Sequence, residues 1–165
     1  MGFGQAFSTC MRKYADFSGR ATRPEYWWFY LAVFLIELPF SIALQISMMA
    51  AMEPLLNKLN ANETLSFREV MDTIDWHRMA GAAILLTIVS LALWLPSLAV
   101  GVRRLHDIGQ SGWWMLLQIV GLGIVLLVMF VLDGQPKENQ WGPDPNEGRR
   151  PGWGQSRAYP PPVGA

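Results

Sequence analysis

The densest chemistry in this 165-residue chain is the run Arg103-Arg104-Leu105-His106-Asp107. Two guanidiniums bring rigid forks of N–H donors, the imidazole titrates near neutrality, and the carboxylate pairs with arginine or orients the ring. Three chemistries use such a set. Metal binding fails on arithmetic, because one His and one carboxylate are too few ligands and His77 sits in another segment. Proton transfer by His106 and Asp107 would suit a lipid-modifying enzyme. An interfacial anchor, in which arginines hold lipid phosphates and helix-end carbonyls while Asp107 pairs with an arginine, fits the residue types best.

Arg20, Arg23 and Glu25 repeat the theme. If a helix returns the chain, Arg20, Arg23, Arg103 and Arg104 meet Asp16, Glu25 and Asp107 in one network. Three acids do not neutralise four arginines, so one phosphate has room. Arg20 and Arg104 are therefore expected to help hold an anionic lipid headgroup, with Arg23 and His106 nearby and Asp107 orienting an arginine. The alternative is that the acids and helix C-terminal carbonyls satisfy every arginine and no ligand is selected. Glu37 stands apart, about 16 Å beyond Tyr26 along a helix and close to mid-bilayer. It is either an ion or proton site or helix glue against Gln118, Thr87 or Ser90. The only cysteine, Cys10, excludes an intramolecular disulfide framework and a zinc–thiolate cluster. No Ser-His-Asp order, phosphate loop or dinucleotide fingerprint is present. No catalytic residue, metal ligand set or cofactor is assigned.

The elements that position these residues are apolar. Hydrophobic residues make up 52% and charged residues 16% of the chain, against about 25% charged in a typical soluble domain. Thirteen basic and thirteen acidic residues cancel, so nothing draws the chain to nucleic acid. Tyr26–Met52 carries one charge, Glu37; Met79–Val102 and Ile108–Leu132 carry none. Each exceeds the roughly 20 residues that cross a bilayer. The expected fold is an all-α integral membrane protein with three transmembrane helices, about 26–52, 79–102 and 110–132. Trp27, Trp28, Trp76, Trp113 and Trp114 mark the run ends as interfacial anchors.

The first 25 residues lack a signal-peptide core, and 3–15 read as a short amphipathic helix on the membrane surface. In the connection 53–78, Ser66 and Glu69 form a capping box, followed by Phe67, Val70, Met71 and Ile74 at helical spacing. The acidic face of that helix favours packing on the protein over anionic lipid. The tail 146–165 is Gly/Pro-rich and expected to be disordered.

Full crossing of all three runs puts six basic residues on one side and seven on the other, which decides nothing. The tight Arg103–Asp107 loop favours a cytoplasmic N-terminus. Gly121-Leu122-Gly123 offers a second geometry, a re-entrant hairpin, which places ten basic residues inside against three outside. Backbone satisfaction in lipid favours the simple span.

The segments Phe17-Ser18-Gly19-Arg20 to Tyr26-Trp27-Trp28, Arg103-Arg104-Leu105-His106-Asp107 before Ser111-Gly112-Trp113-Trp114, and a third set of Gly134, Pro136, Asn139, Trp141, Gly142, Pro143, Asp144 and Pro145 occur in that order. Together they resemble the bacterial inner-membrane family catalogued as domain of unknown function 805, over roughly Tyr14 to Pro145. The last motif departs at Lys137, Gln140 and Trp141, where that family tends to have Gly, Arg and Tyr. The resemblance implies a multi-pass inner-membrane protein and carries no activity. The expected role is non-enzymatic: helix packing through Ser97-xxx-Gly101 and the third-run glycines, with membrane lipids, other membrane proteins or a homo-oligomer as partners. A small oligomeric transporter using Glu37 and an enzyme at His106/Asp107 are the alternatives.

Overall fold

A computed structural model describes residues 1–61 and 64–147; nearly all of the tail at 146–165 lies outside the described residues. Every regular element among the described residues is helical. They are α1 (Phe3–Arg12), α2 (Arg23–Asn60), α3 (Phe67–Thr73), α4 (Trp76–Asp107), a 3-10 helix (Gly112–Gln118) and α5 (Gly123–Val131). Two of them, α2 and α4, are long and apolar enough to cross a membrane. With 38 and 32 residues, they run about 57 and 48 Å at 1.5 Å per residue, more than the hydrocarbon layer requires.

Both overrun their expected bounds. Beyond Met52 only Pro54 interrupts the helix formers, and α2 continues to Asn60. The stretch Arg103–Asp107, expected as a loop, forms the last turns of α4. Nothing breaks the helix before Gly109, whose φ of +81° ends it in the left-handed region that glycine tolerates.

The chain forms two compact units, Met1–Phe29 with Pro96–Ala165, and Tyr30–Leu95. The second unit buries Ala32, Ala51, Leu55 and Leu93. Its connection is tied by the Asp75 N–H donating to the Ala51 carbonyl (3.3 Å) and by Lys58 Nζ on Thr73 Oγ1 (3.3 Å). The expected capping box forms: Ser66 Oγ accepts the Glu69 N–H, and Glu69 Oε2 accepts the Ser66 N–H at 2.8 Å. These hydrogen bonds hold the Glu69 carboxyl below its usual range. Contrary to expectation, α3 buries none of its residues, and Phe67 is 78% exposed. Two turns ringed by acids offer too little apolar face to cover.

In the first unit, α1 buries Ala6 and Cys10, stacks Phe7 on Phe29 (6.0 Å) and sets Phe3 edge-on to Trp28 (6.1 Å). The stripe expected to lie on lipid covers the start of α2 instead. The third apolar run also departs from expectation, since it is not one helix. It divides into the 3-10 helix and α5 around Gly121, whose φ is +78°. Seven residues at about 2.0 Å and nine at about 1.5 Å give two arms of roughly 14 Å each. The turn closes through the Leu122 N–H on the Leu117 carbonyl (2.9 Å). The run then ends where it began: Gly112 lies against Val102, and the Gln135 N–H donates to the Asp107 carbonyl at 2.8 Å. Gly101 sits under Met115, so at that position α4 is covered from within the chain.

Candidate functional site

The motif residues converge on the last two turns of α4. Arg103, Arg104, His106 and Asp107 are all buried there, between the 19–25 segment and the 130–144 segment of the same unit. A main-chain bond, from the Ala21 N–H to the Arg103 carbonyl (3.0 Å), fixes the first of these segments.

Arg20 is the hub. Its Nε donates to Asp107 Oδ1 at 2.9 Å. Its Nη1 reaches the carbonyls of Lys137 (2.7 Å) and Gly142 (3.3 Å), and its Nη2 those of Gln135 (2.6 Å) and Asp107 (3.4 Å). All five N–H groups are therefore used, and the side chain is 1% exposed. Asp144 lies 3.9 Å away. Arg104 donates to Asp107 Oδ2 at 2.5 Å, to the Phe130 carbonyl at 3.1 Å and to the Leu132 carbonyl. Asp107 is thus clamped between two guanidiniums. Arg103 turns the other way, to Glu25 Oε1 (2.9 Å), the Ala99 carbonyl and the Cys10 sulfur. Only Arg23 reaches the rim: Nε donates to the Leu132 carbonyl at 2.9 Å and Nη1 pairs with Asp133 at 2.7 Å.

Burial dominates the electrostatics. It pushes the Asp107 carboxyl up, an effect that the Arg104 and Arg20 guanidiniums partly offset. It lowers Arg104 and lifts the Cys10 thiol to about 12, with Glu25 adding to the latter. His106 donates through Nδ1 to the Gly19 carbonyl (3.2 Å) and stacks on Trp141 (4.5 Å, 9°). Its backbone carbonyl accepts Asn139 Nδ2 at 2.9 Å. Burial pulls the ring below its ordinary value. Below about pH 6.5 the unfolded chain then binds a proton that the folded one resists, so stability falls with acid by at most about 1.4 kcal/mol per pH unit. Between pH 7.5 and 5.5 the wild type should lose more melting temperature than His106→Asn. Parallel losses would remove His106 from the acid response.

Some expected members stay outside. Asp16 turns back on Ser18, whose N–H (3.0 Å) and hydroxyl hold its carboxyl below the usual range. Asp144 and Asp133 take part instead. Glu37 lies in the second unit, its side chain making no hydrogen bond or ion pair among the described residues. Thr87, one of its expected partners, donates to the Ala83 carbonyl (2.8 Å). Gln118 belongs to the first unit and His77 to the second. Among the described residues, no three His, Cys, Asp or Glu groups sit together as a metal site would need. The expected interfacial tryptophans, 27, 28, 76, 113 and 114, are all exposed.

Sequence reasoning gave Gly134 no role beyond its place in the third motif and missed Gln135. A Cβ on Gly134 would lie 2.0 Å from Asp107 Oδ2, so only glycine lets the returning strand of chain pass. Toward Arg20, Lys137 and Gln135 act through their carbonyls, for which no side-chain signal exists.

Residues 14–143 match the family described as Protein of unknown function (DUF805). Inner membrane protein YhaH of Escherichia coli (strain K12) is 34% identical over 137 residues, 82% of this chain and 91% of that protein. Inner membrane protein YhaI of the same strain is 31% identical over 147 residues, 87% of this chain and 98% of that protein. No solved structure matches the chain.

Proposed function

The chain belongs to the DUF805 family, and we propose that it is a non-enzymatic, multi-pass inner-membrane protein. It inserts α2, α4 and a re-entrant hairpin (residues 112–131) and acts through the lipid and protein contacts of their exposed apolar faces. One observation carries the reading. The buried polar cluster spends its donors on the chain itself, with all five N–H groups of Arg20 on Asp107 and the carbonyls of 107, 135, 137 and 142. A substrate site keeps polar groups open to a cleft, whereas a clasp closes them. Here the clasp joins the two ends of the third run, so both lie on one side of the membrane. Arms of about 14 Å reach halfway through a layer of roughly 30 Å.

The same geometry supports the orientation. Lys137 sits beside Arg20 and therefore shares a side with Arg12, Lys13, Arg20, Arg23, Arg103 and Arg104. Against these seven stand Lys58, Arg68 and Arg78. That asymmetry favours a cytoplasmic N-terminus, a periplasmic 53–78 connection and a cytoplasmic hairpin entrance. Partner contact is tested by crosslinking in native membranes. Defined adducts with a second copy or another membrane protein support the reading, and a purely monomeric, unadducted chain refutes it. A second reading rests on Glu37, a carboxylate within the apolar part of α2 that has no partner in its unit. As a transport site, it requires flux in proteoliposomes that Glu37→Gln abolishes; equal flux removes it.

A further inference from the structure

Burial of Arg20, Arg103 and Arg104 takes them out of reach of lipid, and it isolates one arginine that is not so confined. Arg23 has a side chain 39% exposed, its closest ionic approach running from Nη1 to Asp133 Oδ1 at 2.7 Å, and Asp133 is itself 86% exposed. The Arg23 Nε is held by the Leu132 carbonyl, and its Nη2 makes no hydrogen bond among the described residues. The guanidinium is therefore pinned at its base with its outer fork half used. Its level is set by its neighbours. Trp27 and Trp28, one turn further along α2, are exposed as an interfacial belt requires. Val131 and Leu132 are exposed beside Asp133. One turn of helix outward of the belt is the depth of lipid phosphates.

We propose that Arg23 binds the phosphate of an anionic lipid headgroup and that Asp133 is its internal competitor. A phosphate offers two oxygens to the Nη1–Nη2 fork where Asp133 offers one. The displaced carboxylate is already in solvent, so the exchange uncovers no buried charge, and exposed pairs of this kind contribute little. The assignment rests on the membrane placement proposed above and moves the expected lipid site from Arg20 and Arg104 to Arg23. The shared chemistry is a phosphate group, and the interfacial depth commits it to lipid over free phosphate.

The test uses the full chain in nanodiscs of phosphatidylglycerol mixed with phosphatidylcholine, with lipid retention read by native mass spectrometry. Removing the competitor in Asp133→Asn should raise phosphatidylglycerol retention about two- to fivefold, the worth of an exposed pair. Arg23→Ala should lower it about tenfold, with Arg23→Lys between wild type and Ala because an ammonium is only a point charge. Phosphatidylcholine retention should not change. Equal phosphatidylglycerol retention in all four proteins overturns the proposal. Displacement of the lipid by millimolar inorganic phosphate overturns the lipid assignment. Thermal melts of the same proteins separate this from the clasp. A large stability loss in Asp133→Asn would make the pair structural and refute lipid exchange while leaving the clasp intact.

Discussion

Asp107→Ala should remove most of the folded protein. The carboxylate is 1% exposed and takes one guanidinium on each oxygen, Arg20 at 2.9 Å and Arg104 at 2.5 Å. Deleting it leaves two buried cations facing each other without their counter-ion. Breaking a buried pair from one side costs about 3–5 kcal/mol, and here two pairs break at once. Total stabilities of about 5–15 kcal/mol leave little after such a loss. Asp107→Asn keeps an acceptor but not the charge and should fall between. Monodispersity and melting temperature in detergent read the effect, since the apolar helices will insert with or without the clasp. An Asp107→Ala protein that melts with the wild type would show that the arginines are held by carbonyls alone.

Gly134→Ala should be the most damaging single methyl in the chain. The added Cβ would lie 2.0 Å from Asp107 Oδ2 and 2.6 Å from its Cγ. That carboxylate cannot swing aside while two arginines hold it. The backbone of 134–135 must shift, and the Gln135 N–H bond to the Asp107 carbonyl goes with it. Overpacking commonly costs about 1–3 kcal/mol, and the coupling to a buried ion pair argues for the upper end. The signature is non-additivity. In the folded fraction that Asp107→Ala retains the obstacle is gone, and adding Gly134→Ala should then cost about 0.5 kcal/mol or less. Additive losses in the double variant would mean that Gly134 is required for some other reason.

What the sequence disclosed follows from which physical terms are local. The membrane character, the all-helical class, the capping box at Ser66–Glu69 and the grouping of Arg20, Arg103, Arg104 and Asp107 rest on composition, short-range spacing and the need to pair buried charge. They were legible. Of the two geometries open to the third run, the single continuous helix fails because hydropathy measures apolar length and is blind to a break. Gly121-Leu122-Gly123 marks the place, yet glycines also sit inside membrane helices. What decides the break is the attachment of its far end, where Phe130, Leu132, Gln135, Lys137 and Gly142 offer carbonyls to arginines over 25 residues away. Carbonyls leave no trace in side-chain identity. The same blindness made four arginines against three acids look like an unfilled phosphate site. The missing acceptors were main-chain oxygens, and the surplus charge that remains accessible is Arg23 alone.

In the proposed topology residues 108–134 enter and leave the membrane on one side. Single cysteines at Thr64, Gln110 and Gln140, all exposed, in a Cys10→Ser background of the full chain, test it with a membrane-impermeant thiol reagent applied to intact cells. Label is expected at Thr64 and none at Gln110 or Gln140 until the membrane is opened, when both react. Gln140 labelled from outside while Gln110 stays protected would put the run across the bilayer and contradict the hairpin, and with it the clasp.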